Sequence, residues 1–273
     1  MYINHKYKMN NGRKIPAFGL GTYKMQTDRQ TYNAVSYALE IGYRHFDTAA
    51  MYQNEEEVGK AVNDSDVDRQ DVFITTKVWN TDQGYNNTLK AFSKSLEKLK
   101  TDYVDLYLIH WPEPDKRLET WKALMKLYEE GKAKAIGVSN FTINHLEELI
   151  DEYDFTPAVN QVEFSPFLYQ KDLLNYCRER NIILEAYSPL TRGKKFGHTL
   201  LKELADKYQK TAAQILIRWA LQHELVVIPK SSHKNRIMEN ADVFNFNIED
   251  DDMDRMDNIR ESFRIAWDPT GTP

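Results

Sequence analysis

The sequence predicts an α/β protein, specifically a (β/α)8 TIM barrel formed by a single domain over residues 1–273. The first observation is an alternation, repeated eight times, of a short apolar run and a longer segment with apolar residues at helical spacing. The second is that the short runs hold few polar positions, as strands do when helices cover both faces of a parallel sheet. The third is the length of 273 residues, which is common for one such barrel. Eight units favour a closed barrel over an open doubly wound sheet.

The chain begins with a predicted β-hairpin over about residues 5–16, because an Asn11-Gly12 step separates two short extended segments. We expect this hairpin to cap the bottom of the barrel. The eight barrel strands are predicted at residues 17–21, 45–47, 72–77, 104–110, 133–139, 158–163, 182–187 and 225–229.

The helices that follow these strands are predicted at residues 29–41, 55–63, 86–99, 118–128, 143–152, 172–180, 200–208, 212–223 and 234–243. Two of them follow the seventh strand. The acidic run at residues 249–252 indicates the start of one more helix after the eighth unit, since negative charge is favoured at a helix N-terminus. Gly42 and Gly131 stand where helices should end, because glycine readily adopts the left-handed cap conformation. A tail is predicted over about residues 264–273.

The composition indicates a soluble, cytoplasmic protein that binds neither nucleic acid nor membrane. The formal net charge of −5 gives no basic patch for nucleic acid. Cys177 is the one cysteine, so an intrachain disulfide is excluded and a reducing compartment is expected. The first residues lack the apolar core of a signal peptide, and no apolar run approaches the roughly 20 residues that span a bilayer. The histidines show no metal-ligand spacing, so no metal is expected.

Functional side chains are predicted at the ends of three successive strands. Asp47 ends the second strand, and Tyr52 follows just before a helix. Lys77 ends the third strand and His110 ends the fourth. Because the C-terminal ends of barrel strands converge on one mouth, the four side chains should form one site. Each of them taken singly could be structural: Asp47 as a cap, Lys77 as a solvated strand end, and His110 as a packed histidine.

These four residues suit a site that donates a proton to an oxygen while negative charge develops there. Tyrosine titrates at about 10 in water, so Tyr52 needs help as an acid at neutral pH. We expect Lys77 to lower the pKa of Tyr52, and Asp47 to keep Lys77 charged and oriented. His110 can hydrogen-bond the substrate oxygen. Carbonyl reduction has these needs, and its hydride must come from a nicotinamide or flavin cofactor because no side chain supplies one.

The cofactor site is predicted beside the loops after the seventh and eighth strands, where barrels usually bind phosphates. A Rossmann fingerprint is excluded, because residues 19–21 offer two glycines and Lys24 stands in the place of the third. The segment after the eighth strand carries Lys230, Ser231, Ser232, Lys234 and Arg236. Cations and hydroxyls before a helix suit a phosphate monoester, and Lys230 and Arg236 would favour NADPH over NADH. Tyr187 could stack on the nicotinamide, or be an ordinary core aromatic.

These residues lie within longer strings that resemble the motifs of the aldo-keto reductases, in the family's order and along nearly all of the chain. The strings are Gly42-Tyr-Arg-His-Phe-Asp-Thr-Ala-Ala-Met-Tyr-Gln-Asn-Glu, Leu108-Ile-His-Trp-Pro, Ile136-Gly-Val-Ser-Asn-Phe, Asn160-Gln-Val-Glu and Ile228-Pro-Lys-Ser. The chain is most similar to short-loop, bacterial-type members of the family.

The resemblance implies a cofactor, NADPH/NADP+, and a catalytic tetrad with Tyr52 as the general acid. The tetrad is Asp47, Tyr52, Lys77 and His110. The carboxamide of the nicotinamide would be held by Ser139, Asn140 and Gln161, with Tyr187 stacked on the ring. Further cofactor contacts are implied at Gly21, Thr22, Asp47, Ser188, Leu190, Lys230, Ser231, Ser232, Arg236, Glu239 and Asn240. The substrate pocket is implied at Tyr23, Met51, Tyr52, Trp79, His110 and Trp111. The resemblance also implies a small-molecule carbonyl substrate and a monomer.

Three features depart from the family pattern. Ser165 stands before Pro166 where the family often has histidine. The connection over residues 190–200 is short compared with members that fold a belt over the cofactor, so we expect faster cofactor exchange. The tail over residues 264–273 does not follow the usual pattern, and the family's tail shapes the substrate pocket.

The predicted function is NADPH-dependent reduction of aldehydes and activated ketones, such as small aldehydes, methylglyoxal-like dicarbonyls or keto-sugars. The flat side chains of Trp79 and Trp111 would favour aromatic or aliphatic aldehydes over charged ones. Two alternatives stay open. One is an NADPH-binding regulatory barrel without turnover. The other is a Schiff-base aldolase that uses Lys77, against which the charge-holding Asp47 argues.

Overall fold

Eight parallel strands, each hydrogen-bonded to the next in chain order, form the centre of the computed structural model, which describes residues 1–27 and 29–273. An N-terminal hairpin consists of β1 (Lys6–Lys8) and β2 (Lys14–Pro16). The barrel strands are β3 (Leu20–Gly21), β4 (His45–Asp47), β5 (Phe73–Val78), β6 (Leu106–Ile109), β7 (Ile136–Ser139), β8 (Val159–Glu163), β9 (Ile183–Tyr187) and β10 (Val226–Val227). The predicted (β/α)8 barrel is confirmed.

Ten helices follow these strands in the described part of the chain. They are α1 (Gln30–Ile41), α2 (Glu55–Asn63), α3 (Tyr85–Leu99), α4 (Arg117–Glu129), α5 (Ile143–Tyr153), α6 (Lys171–Glu179), α7 (Thr199–Tyr208), α8 (Ala212–Gln222), α9 (Lys234–Ala241) and α10 (Asp250–Asp257). The sequence correctly predicted the extra helices, α7 after the seventh barrel strand and α10 after the eighth unit.

The sheet closes between its first and last strands. Phe18 forms a parallel bridge with Val227. Gly19 N donates to Val227 O at 3.0 Å, and Val227 N donates to Ala17 O at 2.9 Å. Closure directs the C-terminal ends of all eight strands to one mouth, where loops can place side chains together.

These two closing strands are shorter than the sequence predicted. Regular pairing covers Leu20–Gly21 and Val226–Val227, whereas the apolar runs extend over residues 17–21 and 225–229. At the closure the two strands share one bridge and a few hydrogen bonds between them rather than a continuous ladder. The apolar runs therefore predict which residues are buried and not where the strands end, because burial extends beyond the paired residues.

The hairpin covers the bottom of the barrel, as predicted. Ile15 packs in a buried cluster with Leu106 of β6 and Val226 of β10. Asn10 Nδ2 donates to Pro157 O at 3.0 Å, and Asn11 Nδ2 donates to Lys134 O at 3.1 Å. Since residues 134 and 157 directly precede β7 and β8, the hairpin is tied to the N-terminal ends of these strands.

The barrel interior is apolar near the hairpin and polar toward the mouth. The buried polar side chains of the barrel strands include His45, Asp47, Lys77, Gln161 and Glu185. Polar groups in a dry interior must form hydrogen bonds with one another, because unpaired ones destabilise the fold. The candidate site is built on these side chains.

Among the residues that the structure describes, no helix is both long enough and apolar enough to cross a membrane. Within the same residues, no group of three or more His, Cys, Asp or Glu side chains could hold a metal ion.

Candidate active site

The four side chains predicted at the strand ends meet in one place. Asp47 is the last residue of β4, Lys77 lies near the end of β5, and His110 directly follows β6. Tyr52 ends a single 3₁₀ turn after β4. Lys77 Nζ donates to both Asp47 carboxylate oxygens at 2.7 Å and to Tyr52 OH at 3.4 Å. The His110 ring lies edge-on to Tyr52, with ring centroids 5.6 Å apart.

A buried asparagine, Asn54, fixes the loop that carries Tyr52. Asn54 Nδ2 donates to Thr22 O at 3.0 Å, and its Oδ1 accepts from Thr48 Oγ1 at 2.7 Å. Lys77 Nζ also donates to Thr48 O at 2.8 Å. The loops after β3 and β4 are thereby joined, which holds the phenol in position. Sequence reasoning missed Asn54, although an asparagine directly before a helix was the available signal.

Burial, rather than Lys77, sets the direction in which the pKa of Tyr52 shifts. Burial raises the pKa of the Tyr52 phenol well above its ordinary value of 10.0, and the Asp47 carboxylate raises it further. The phenolate would lose its hydration in this cavity, while the charge of Lys77 is already met by Asp47 at 2.7 Å. Tyr52 therefore keeps its proton at neutral pH in the free protein and is available as a donor.

His110 is neutral for a similar reason. Burial lowers the pKa of its imidazole well below 6.5, and the positive charge of Lys77 lowers it further. Its ring packs between the rings of Tyr52 and Trp79, and the centroids of the His110 and Trp79 rings are 5.1 Å apart. A neutral imidazole held in this way can donate one hydrogen bond to a ligand oxygen without adding charge.

The Asp47 carboxylate is enclosed by donors. Besides the two bonds from Lys77, Gln161 Nε2 donates to Asp47 Oδ2 at 2.7 Å. Burial raises the pKa of Asp47, and the Lys77 and Gln161 hydrogen bonds act against that rise. Both Asp47 oxygens accept bonds, an arrangement that fits the ionised carboxylate and keeps Lys77 oriented.

A cavity of about 900 Å³ opens at this site and continues along the mouth of the barrel. Most of the residues predicted for catalysis, cofactor and substrate line it. They are Gly21, Tyr23, Asp47, Met51, Tyr52, Trp79, His110, Trp111, Ser139, Asn140, Gln161, Tyr187, Ser188, Leu190, Lys230, Ser231, Ser232, Arg236, Glu239 and Asn240. Lys77 and Thr22 lie behind the wall, where Thr22 Oγ1 donates to Asp47 O at 2.9 Å.

Strained backbone occurs where the cavity wall is built. Asn140 has φ 63° and Ser188 has φ 49°, in the left-handed region that few residues other than glycine and asparagine adopt. Asn140 Nδ2 donates to His110 O at 3.0 Å, and its Oδ1 accepts from Tyr187 OH at 2.8 Å. These bonds join the ends of β6, β7 and β9. Such strain persists only when the surroundings over-determine it, and it is typical of ligand sites.

The far end of the cavity is cationic. Lys230 lies in the loop after β10, and Arg236 lies in the first turn of α9. Burial lowers the pKa of Lys230. Across residues 1–27 and 29–273, neither Lys230 nor Arg236 has an ion pair. Exposed cations beside a helix N-terminus, with Ser231 and Ser232 between them, suit an anionic ligand such as a phosphate.

Sequence reasoning missed part of the lining. The loop after β9 contributes Arg192 and Phe196, and the tail contributes Ile265, Ala266 and Trp267. The Trp267 ring centroid lies 5.3 Å from that of Trp111 and 6.3 Å from that of Trp79. A tryptophan in a tail that also contains proline and glycine was a signal of a functional side chain. Its position beside two strand ends that are distant in the sequence could not be predicted from the sequence.

Comparison with known proteins places the chain among oxidoreductases. Residues 17–261 match the aldo/keto reductase family. The chain is 50% identical over 262 residues to a glyoxal reductase of Bacillus subtilis, covering 96% of this chain and 95% of that protein. It is 45% identical over 266 residues to a methylglyoxal reductase, DkgA, of Escherichia coli, covering 96% of each chain. A solved structure of a Gox0644 variant in complex with NADPH aligns with a TM-score of 0.93 at 40% identity, covering 99% of each chain.

Proposed function

The chain belongs to the aldo/keto reductase family, and from this premise we propose that it reduces aldehydes and activated ketones to alcohols with NADPH. The substrates we propose are small aldehydes, dicarbonyls such as methylglyoxal, and keto-sugars. The single observation that carries the proposal is the Tyr52 hydroxyl, which lines the cavity and accepts a hydrogen bond from Lys77 at 3.4 Å. The names of the glyoxal and methylglyoxal reductases support the choice of carbonyl compounds.

The cavity fits NADPH on grounds of its own chemistry. Lys230 lines the cavity and has no ion-pair partner in the described residues, so its charge is available to a bound 2′-phosphate. The NADPH complex of a relative that is 40% identical supports the same cofactor. Bound NADPH would supply the hydride, which no side chain can.

We assign the holding of the cofactor to residues in the cavity lining and, for Thr22, directly behind it. Ser139, Asn140 and Gln161 would bind the carboxamide, and Tyr187 would stack on the nicotinamide. Ser188 and Leu190 would contact the pyrophosphate. The 2′-phosphate would be bound by Lys230, Ser231, Ser232 and Arg236, and the adenine by Glu239 and Asn240. Gly21, Thr22 and Asp47 are assigned to the wall beside the nicotinamide. The substrate pocket is assigned to Tyr23, Met51, Trp79 and Trp111.

In this proposal, Tyr52 donates the proton and His110 orients the substrate oxygen. The neutral imidazole of His110 donates a hydrogen bond to the carbonyl oxygen and fixes its angle. As negative charge develops on that oxygen it becomes a much stronger base than a phenolate, so the proton passes from Tyr52 OH to the oxygen. The phenolate left behind accepts from Lys77 Nζ, which is already 3.4 Å away. Asp47 keeps Lys77 in place throughout.

The geometry argues against the Schiff-base alternative. Lys77 has no exposed surface, and its Nζ donates to Asp47 and to Thr48 O at 2.7–2.8 Å. An amine that attacks a carbonyl must be neutral and must reach the substrate. Lys77 meets neither requirement, because its side chain is fully buried and its Nζ is held by the Asp47 carboxylate and Thr48 O.

Tyr52→Phe tests the proposed function. With methylglyoxal and 4-nitrobenzaldehyde, the wild type should consume NADPH, followed at its nicotinamide absorbance. The variant should lose turnover by roughly a hundredfold or more, because its general acid is gone. NADPH binding, measured by protein fluorescence, should stay unchanged in the variant.

Tyr153→Phe is the matched control, since Tyr153 OH donates to Leu118 O at 3.0 Å outside the cavity lining. Full activity in the control and loss in Tyr52→Phe would support the proposal. If the wild type binds NADPH but turns over no carbonyl compound, the regulatory-barrel alternative replaces the reductase.

A further inference from the structure

The tail enters the cavity lining immediately after a pair of hydrogen bonds to one carboxylate. Glu163 is the last residue of β8 and is 3% exposed. Its Oε1 accepts from Ile265 N and its Oε2 accepts from Ala266 N, each at 2.8 Å. The next residue is Trp267. A strand end of the barrel thus holds the tail one residue before its aromatic side chain.

A carboxylate suits this contact. Two successive backbone N–H groups reach the side chain, and each of them meets a different oxygen of Glu163. Within the described residues, no Lys, Arg or His forms an ion pair with Glu163. The two amides are therefore direct polar partners of a buried charge, and hydrogen bonds to a charged group are stronger than neutral ones.

The other end of the tail is also fixed. His145 Nε2 donates to Thr272 O at 3.0 Å, and Arg117 Nη1 donates to Pro273 O at 2.6 Å. Trp267 lies between these anchors, beside the Trp79 and Trp111 rings. Because Trp267 is 65% exposed, its own burial holds it weakly, and the bonds to the two preceding amides must set its position.

Part of the Trp267 indole is exposed and is therefore free to contact a ligand. The ring is tilted by 45° to Trp111 and by 44° to Trp79, so the three side chains form a partly open aromatic corner at the cavity. A flat aromatic ring would pack against such a corner, whereas a three-carbon dicarbonyl is too small to cover it.

We propose that Glu163 is a positioning residue for substrate selectivity, which latches the tail so that Trp267 completes a pocket for aromatic aldehydes. The inference rests on the proposed reductase function and specifies the substrate class of the same site. The latch orders the tail before the substrate arrives, so an aromatic substrate binds without bearing the entropy cost of ordering it.

Glu163→Gln tests the latch with little change in shape. Glutamine offers one acceptor oxygen, and its amide would face a backbone N–H, so one of the two bonds is lost. For 4-nitrobenzaldehyde we expect KM to rise roughly tenfold with kcat little changed, since a lost bond to a charged group is worth about that factor. For methylglyoxal the change in KM should be less than about twofold, because that substrate does not depend on Trp267. Hydrogen exchange of the amides of Ile265 and Ala266 should be slow in the wild type and fast in the variant.

Trp267→Ala, alone and combined with Glu163→Gln, shows whether the two residues act together. Each single variant should raise KM for 4-nitrobenzaldehyde, and the double variant should be no worse than Trp267→Ala, as expected for residues acting through one contact. Asp257→Ala is the control for a loss of stability alone. It removes a carboxylate that accepts from Trp219 Nε1 and His223 Nε2 outside the cavity lining, and it should leave the ratio of the two KM values unchanged.

Three results would overturn the latch. They are an equal loss for both substrates in Glu163→Gln, fully additive losses in the double variant, or unchanged exchange at Ile265 and Ala266. A wild type that reduces neither carbonyl compound would instead refute the proposed function, while the hydrogen-exchange result would still decide whether Glu163 holds the tail.

Discussion

At the scale of single residues, the acid–base properties of the site are set by burial rather than by residue type. A phenol in water has a pKa of about 10, and the nearest cation, Lys77, would be expected to lower it. In the structure, burial outweighs that effect and raises the pKa of Tyr52. The same burial lowers the pKa of His110 and raises that of Glu185 to about 8.

The Lys77–Asp47 pair should be costly to break from one side. Lys77→Met leaves the buried Asp47 charge without its cation, so we expect a loss of about 3–5 kcal/mol in the free energy of unfolding. Urea unfolding at neutral pH measures this. Lys60→Met, which removes an exposed lysine of α2 whose partner Asp64 is also exposed, should cost less than about 0.5 kcal/mol. A Lys77 variant as stable as the Lys60 variant would contradict an ionised Asp47.

Glu185 should make the protein less stable as pH rises through the neutral range. Its carboxyl is fully buried, and its neighbours are His45 Nε2 of β4 at 3.7 Å, the Asp47–Lys77 pair and Gln161 of β8. Burial raises the Glu185 pKa from 4.5 to about 8, so between these values the folded state holds a proton that the unfolded chain has released. Stability is thus greatest below pH 4.5 for this group and is lost as pH rises toward about 8.

Thermal unfolding of wild type and Glu185→Gln between pH 5 and pH 8.5 checks this. The variant carries no ionisable group there, so its stability should decline less with pH than that of the wild type. His45 does not mask the effect. Burial lowers its pKa from 6.5 to about 3, so it makes stability rise with pH up to about 6.5, but this contribution is present in both proteins. Parallel pH curves for the two proteins would show that Glu185 is ionised at neutral pH.

At the scale of elements, close contacts between helices decide which helix residues can be replaced by larger ones. Gly59 of α2 lies against the end of α3, where an added Cβ would be 2.3 Å from Leu99 O. Helix propensity alone would favour alanine at this position, but the neighbour is backbone and cannot yield without moving α3. The helices themselves were predictable, since their apolar spacing is local and since Gly42 and Gly131 adopt the positive φ expected of caps.

Gly59→Ala should therefore destabilise the protein by about 1–3 kcal/mol through overpacking between α2 and α3. Gly197→Ala is the matched control, because its added Cβ would meet nothing within 4 Å. Differential scanning calorimetry of both variants separates the two cases. A stabilised Gly59→Ala would mean that α2 and α3 move apart easily.

At the scale of the whole molecule, the cavity joins loops from most barrel strands, so a ligand in it should stabilise the entire fold. At about 100 times its Kd, NADPH adds roughly 2.7 kcal/mol, which corresponds to a rise in Tm of about 5–10 °C for a chain of this size. Differential scanning fluorimetry with NADPH and with NADH measures the preference for the 2′-phosphate. In the wild type, NADPH should give the larger rise at equal concentration.

Lys230→Ala combined with Arg236→Ala should remove most of that preference, because both proposed partners of the 2′-phosphate are lost. Lys234→Ala is the control for charge: it removes a cation from the same segment, but Lys234 Nζ already pairs with Glu40 Oε2 at 3.0 Å. A preference that survives in the Lys230/Arg236 variant would move the phosphate site elsewhere.

The sequence by itself determined the fold and the location of the chemistry. Periodicity distinguishes strand from helix locally, and in a parallel barrel every strand end reaches the same mouth, so Asp47, Lys77 and His110 could be placed together without coordinates. Most of the lining residues implied by the family resemblance do line the cavity.

Only the tertiary structure decided how the site is tuned and completed. The direction of the Tyr52 pKa depends on burial by many elements, which no local pattern records. The contact of Glu163 with Ile265 and Ala266 joins residues about a hundred positions apart, and the packing of Trp267 on Trp111 joins residues still farther apart. Such contacts join residues that are neighbours in space but far apart in the sequence, so no local sequence pattern predicts them.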